Sequence, residues 1–193
     1  MGVYILGIEK RIIVLGERHG DSENPRRIRQ VLKRVEEPYT FLIELDKKIR
    51  PKLEKYFENG SYEVLKDQHV VNNPGKLTKP MLELLKEIQE NNTIKLLDPN
   101  IVEKEPDESI GYYNERRMAE SIKSTSGKVI ALLGETHANK KPIKSSDMPG
   151  AEALFKIYDD GVMRTAGYIL GDQAHCIHLG PLHESQTYDE YIE

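Results

Sequence analysis

Ile13-Val14-Leu15-Gly16-Glu17-Arg18-His19-Gly20 returns 118 residues later as Ala131-Leu132-Leu133-Gly134-Glu135-Thr136-His137-Ala138. In both copies a short apolar run, which reads as a buried parallel strand, passes into Gly-Glu-x-His. The separation is far too long for a solenoid period, so the copies read as two strand ends of one fold. In an open α/β sheet, ligands bind beyond the carboxyl ends of the strands. A glycine there allows a tight exit with close backbone approach. A histidine three residues later can then stand over the sheet edge.

Outward from these runs, strands alternate with helices. The first strand spans Arg11 to Leu15. A helix follows, with Asn24 expected as its cap, Pro25 at its first position, and Ile28, Val31, Leu32 and Val35 on one face. Thr40 to Ile43 reads as a second strand. A helix around Pro51 to Phe57 turns in Leu53, Tyr56 and Phe57 and ends at Asn59-Gly60. Pro80 to Gln89 forms another, with Met81, Leu84, Leu85 and Ile88 inward. Thr93 to Leu97 is a third strand, Tyr112 to Ser124 a helix carrying Met118 and Ile122, and Val129 to Leu133 a fourth strand. Beyond it, Ala151 to Tyr158 reads as helical, and Gly167 to Leu179 is expected to contain one or two further strands. Asn72 to Gly75 and Lys140 to Gly150 are polar loops, and the acidic tail from Glu184 to Glu193 is expected to fray. This pattern predicts a single α/β domain over residues 1–193, with a mostly parallel sheet flanked by helices on both faces.

Composition narrows the function. The chain has 193 residues, 38% hydrophobic and 31% charged, enough for one core. Lys+Arg 28 against Asp+Glu 32 gives a net charge of −4, which offers no excess of cations to a nucleic-acid backbone. No apolar run approaches the ~20 residues that span a bilayer. The single cysteine, Cys176, forms no intramolecular disulfide and reads as a buried small hydrophobe. The first residues, Met1 to Leu6, carry no basic signal region, so a cytoplasmic location is expected. Neither nucleic acid nor membrane is expected as a partner; a small-molecule or peptide substrate is. Nothing in the sequence fixes the oligomeric state.

Two histidines from different strands can face one crevice. Glu44, in Leu42-Ile43-Glu44-Leu45-Asp46, delivers a carboxylate to the same edge. His19, His137 and Glu44 together form a set suited to zinc, manganese or cobalt. The same groups serve equally as a general base with its orienting carboxylate. Glu17 and Glu135 read either as partners of the histidines, able to take a proton, or as solvent-facing turn residues.

Other signals fail on their own terms. Ser124-Thr125-Ser126-Gly127-Lys128 lacks the glycine that a phosphate loop needs at Ile122 and the Ser or Thr it needs at Val129. The chain contains no Gly-x-Ser-x-Gly and no His-Glu-x-x-His. In His175-Cys176-Ile177-His178 the two histidines point to opposite faces of a strand, so a joint chelate needs a bulge or loop. His69 and His183 have no partner at ligand spacing and read as surface residues.

The paired Gly-x-x-His, the strand-end Glu44 and the helix with Asn114-Glu115-Arg116-Arg117-Met118-Ala119 resemble the superfamily of erythromycin esterases, Tiki/TraB-type metalloproteases and ChaN-like haem-associated proteins. The local likeness is nearest to the ChaN-like branch. It lies in Glu44-Leu45-Asp46 and in Arg50-Pro51-Lys52-Leu53 through Asn59-Gly60, and it runs from about Arg11 to about Phe155. The resemblance implies one α/β domain with His19, Glu44 and His137 at one centre. It implies divalent-metal peptide cleavage in the Tiki branch, a histidine base acting on water in the esterase branch, and haem binding in the ChaN-like branch. The chain departs from the family where Asn114 and Glu115 stand in place of Arg followed by Asn or Asp, unless Arg116 or Arg117 substitutes. That departure weighs against esterase chemistry more than against metal binding.

The leading expectation is a metal-assisted hydrolase of an amide, peptide or ester bond, with His19, His137 and Glu44 holding the ion or orienting water and Glu17 or Glu135 taking the proton. Its metal-free form makes His19 the base. The alternatives are a non-catalytic haem- or ligand-binding protein, tested at His19, Tyr112 and Tyr113, and an interaction or toxin-like module.

Overall fold

The computed structural model describes residues 8–35, 38–71, 75–98, 109–148, 155–158, 160–181 and 187–193. The main sheet is built from β1 (Ile12–Glu17), β2 (Tyr39–Glu44), β3 (Thr93–Leu97), β4 (Lys128–Gly134), β7 (Ala174–Leu179) and β8 (Glu190–Ile192), in the order β3-β2-β4-β1-β7-β8. Every pairing in it is parallel. A small antiparallel pair joins β5 (Ile143–Lys144), within the stretch read as a loop, to β6 (Val162–Met163). The helices are α1 (Asn24–Leu32), α2 (Arg50–Asn59), the short α3 (Gln68–Val71), α4 (Lys79–Gln89), α5 (Ile110–Ser124), α6 (Glu135–Ala138) and α7 (Ala166–Leu170).

Alternation along the strands divides the core in two. Ile13, Leu15, Phe41, Ile43, Ile130 and Leu132 pack with Ile28 and Val31 of α1, Leu53 of α2, and Met81, Leu84, Leu85 and Ile88 of α4. Ile12, Val14, Leu42, Val129, Ala131 and Leu133 face the other way, against Met118 and Ile122 of α5 and Ala166 and Leu170 of α7. Both faces are dry, so the strands are apolar throughout instead of alternating with polar residues. Each fully buried Ile or Leu contributes roughly 1.5–3 kcal/mol by leaving water.

The strand order places the site. β1 and β4 are neighbours at the centre of the sheet; the chain leaves β1 toward β2 on one side and leaves β4 toward β7 on the other. This reversal opens a crevice beyond their carboxyl ends. Their ends are level, because Glu17 pairs directly with Gly134.

Three local expectations are corrected. Asn24 does not cap α1: it is buried inside the first turn, and its amide donates to Glu17 Oε2 at 3.0 Å and to the Arg18 carbonyl at 2.9 Å. These two acceptors hold the amide inward, so its Oδ1 is not presented to the N–H groups of the first turn. The stretch from Gly167 to Leu179 holds one strand, within the expected one or two. Its first part is helical, because Thr165 caps α7 by accepting the Tyr168 N–H at 3.1 Å. The acidic tail does not fray over 187–193: Glu190–Ile192 extends the sheet, held by Arg34, whose guanidinium meets both Glu190 oxygens at 2.5 and 2.9 Å. Residues 140–148 are not wholly loop, since β5 lies among them. His183, residues 72–74 and residues 151–154 lie outside the described residues, as does the side chain of His69.

Candidate active site

Gly134 is the point on which the site converges. A Cβ placed on it would lie 3.2 Å from His19 Nε2 and 3.5 Å from His137 Cδ2, so both imidazoles crowd this one backbone. Its N–H donates to Glu44 Oε2 at 3.1 Å. Three side chains, from the loop after β1, the end of β2 and α6, therefore meet at the exit of one central strand. Gly134 has φ −55°, a value open to any residue; glycine is needed here for room beside His19, not for backbone freedom.

Each histidine has its own carboxylate. His19 Nδ1 lies 3.2 Å from Glu17 Oε1, and Asn24 holds the other Glu17 oxygen. His137 Nδ1 lies 2.6 Å from Glu115 Oε1. Glu115 is fully buried and also accepts from the Tyr158 hydroxyl at 3.2 Å and from the Ala166 N–H at 2.7 Å. The carboxylates fix Nδ1–H on each ring and turn Nε2 to the other side, as an orienting acid does for a catalytic histidine. The imidazoles keep 33% and 28% of their surface open, while Glu17 and Glu115 keep 4% and 0%.

The charges are unequal. Burial alone would strip His137 of its proton, but Glu115 and then Glu44 outweigh it and raise its pKa to about 9. Burial pushes the Glu17 pKa up, against its bond to His19. Burial would raise Glu44 too. There the charges of His137 and Lys76, with the Lys76 and Gly134 hydrogen bonds, bring it down to about 2.

The metal set read from the sequence is not what these side chains form. Glu44 Oε1 is taken by the Lys76 ammonium at 2.6 Å, and its second oxygen by the Gly134 N–H at 3.1 Å. Among the described residues, no three His, Cys, Asp or Glu side chains group as ligands. An ammonium against the one carboxylate that should bind the ion repels that ion. With both of its oxygens engaged, Glu44 does not complete a zinc, manganese or cobalt site with the two rings.

Glu135 is near in sequence but serves elsewhere. Its Oε2 lies 3.2 Å from His178 Nε2, and its carbonyl accepts the Tyr188 hydroxyl. His178 is buried at the end of β7, whereas His175 turns outward to Glu190 at 3.3 Å, so the two do point apart. Arg116 pairs with Glu120 at 2.9 Å, and Arg117 donates to the Tyr113 hydroxyl at 3.4 Å. Glu115, noted in the sequence only as a departure from the resemblance, is the helix residue that meets His137. Lys76 and Tyr158 gave no signal, because each reaches the site from a distant turn.

No family model matches the chain, and no curated protein does. Solved structures do. The chain is similar to ChaN of Campylobacter jejuni, a protein that binds haem cofacially, at 14% identity and TM-score 0.52, over 93% of this chain and 86% of that one. It is also similar to RRSP, a MARTX toxin effector domain from Vibrio vulnificus, at 15% identity and TM-score 0.52, over 93% of this chain and 35% of that one. The likeness is one of fold: a ChaN-like α/β domain. Among the described residues, no helix is long and apolar enough to cross a membrane.

Proposed function

We propose that the chain is a hydrolase of an amide, peptide or ester bond that works with two histidine–carboxylate pairs and no metal ion. The observation that carries this reading is the approach of His19 Nε2 and the His137 ring to one glycine, each ring braced from behind by a buried carboxylate. His19 Nε2 takes a proton from water as the water oxygen attacks the carbonyl carbon. Glu17 steadies the imidazolium that forms. The charged His137 ring, held by Glu115, stabilises the oxyanion. His19 then gives its proton to the leaving amine or alkoxide as the C–N or C–O bond breaks. Glu44, held by two hydrogen-bond donors, is a poor base and acts as a fixed charge. A cytoplasmic setting is part of the proposal, since a single cysteine forms no intramolecular disulfide.

The test is turnover of fluorogenic peptides and nitrophenyl esters by the full chain in excess chelator. Turnover that survives the chelator and is lost in His19→Ala and His137→Ala supports the reading. Turnover abolished by the chelator, or unaffected by either substitution, overturns it.

A second reading, haem binding, draws on the fold shared with ChaN and on the open His19 ring. Tyr113 is a poor axial ligand, since it is 9% exposed and its hydroxyl meets Arg117. A Soret band that appears on haem titration and is lost in His19→Ala would favour this reading.

A further inference from the structure

One charged group at the crevice has no part in the proton transfers: Lys76. Its side chain is 16% exposed, and Nζ lies 2.6 Å from Glu44 Oε1. The other Glu44 oxygen receives the Gly134 N–H at 3.1 Å. Ammonium, carboxylate and backbone amide thus form one continuous path that ends at the glycine between the two rings.

The turn that carries Lys76 is itself anchored. Gly75 has φ +93°, and a Cβ on it would lie 2.3 Å from Gly20 N and 3.0 Å from the His19 carbonyl carbon. Only glycine allows that backbone conformation and that approach at once. The Lys76 turn and the His19 loop are therefore in direct backbone contact. A carboxylate that is 5% exposed needs a positive partner, and an ammonium supplies it with a directional hydrogen bond.

We propose that Lys76 is a positioning residue of the hydrolytic centre: acting through Glu44 and Gly134, it sets how His19 and His137 face each other, and it fills the place at Glu44 that a metal ion would otherwise take. The kinetic part of this proposal rests on the hydrolytic reading; the structural part does not. Lys76 touches neither imidazole through a hydrogen bond, so its effect falls on turnover more than on substrate affinity. Among the described residues, Glu17, Glu44, Glu115 and Lys76 are the charged groups that face the two rings, with Tyr158 behind Glu115.

The experiment compares Lys76→Met, Lys76→Arg and Gly75→Ala in the full chain. Imidazole resonances of His19 and His137 are recorded by NMR at one neutral pH, and kcat and KM are measured alongside. Lys76→Met and Gly75→Ala are expected to shift both sets of ring resonances and to lower kcat about ten- to a hundredfold with KM unchanged. Lys76→Arg restores most of both. Ring resonances that stay in place, or a loss confined to KM, overturn the proposal. If Lys76→Met does not fold, the Glu44→Gln/Lys76→Met double variant, which leaves no buried charge unpaired, takes its place. It is expected to match Glu44→Gln alone; a further shift of equal size means that Lys76 does not act through Glu44 and overturns the proposal. A chain that cleaves none of the substrates removes the hydrolytic reading, while the ring resonances still decide for or against Lys76.

Discussion

Nδ1 of His137 lies 2.6 Å from Oε1 of Glu115, a carboxylate with no exposed surface. Two further donors, the Tyr158 hydroxyl and the Ala166 N–H, complete its hydrogen bonds. Replacing Glu115 by Gln keeps the shape and removes the charge. The expected result is a fall in kcat of about 10²–10⁴-fold, the range for a misdirected acid or base, measured by steady-state kinetics. Tyr158→Phe removes one donor only and is expected to cost about 1 kcal/mol in denaturant unfolding.

The His19–Glu17 pair depends on Asn24, whose amide is 3.0 Å from Glu17 Oε2. Asn24→Ala leaves that buried oxygen without its donor, an expected loss of about 1–3 kcal/mol. Turnover should fall with it. Full activity together with unchanged stability would show that Glu17 needs no such support.

The two shifted groups give the pH dependence a definite sign. His137 is raised from 6.5 to about 9, so its contribution to stability is complete below 6.5 and is lost as pH rises through about 9. Glu44 is lowered from 4.5 to about 2, so its contribution is complete above 4.5 and is lost as pH falls through about 2. Thermal unfolding across pH is expected to show an alkaline decline that moves to lower pH in Glu115→Gln. Turnover that relies on the His137 imidazolium falls in the same alkaline range.

Gly134→Ala tests the convergence itself. The backbone there suits alanine, but the new methyl would sit 3.2 Å from His19 Nε2, closer than ordinary packing allows. The expectation is a loss of activity of about 10²-fold from a displaced ring, with the unfolding temperature little changed. An unaltered rate would mean that His19 does not work in the position described.

At the sheet edge, Arg34 and Glu190 form a two-pronged ion pair, with side chains 18% and 31% exposed. Arg34→Met is expected to cost about 0.5–1 kcal/mol. Hydrogen exchange at Tyr191 and Ile192 should quicken while β1 and β4 stay protected.

Much of the architecture could be read directly from residue order. The apolar runs at Ile12–Leu15 and Val129–Leu133 are β-branched or aliphatic throughout, because both faces of a parallel sheet are covered, and that alone implies strands at the centre of an α/β domain. Glycine followed by a histidine three positions on marked both strand exits. The helices that announced themselves did so through prolines in the first turn and apolar residues at helical spacing, as in α1, α2 and α4. The edge strand β8 escaped notice because Asp189 and Glu190 make it look like a solvated tail; cations from elsewhere, Arg34 and Lys140, neutralise them.

Chain order by itself determined the sheet, its two central exits and the pair of histidines above them, since strands and turns follow from local sterics and hydrophobic pattern. The chemistry of those histidines was decided only by folding. Glu115 and Lys76 lie 22 residues before His137 and 32 residues after Glu44, at no motif spacing, and they meet their partners only because α5 and the Gly75 turn pack where they do. Charge acts through distance in space and through exclusion of water, and neither is written in the order of the residues.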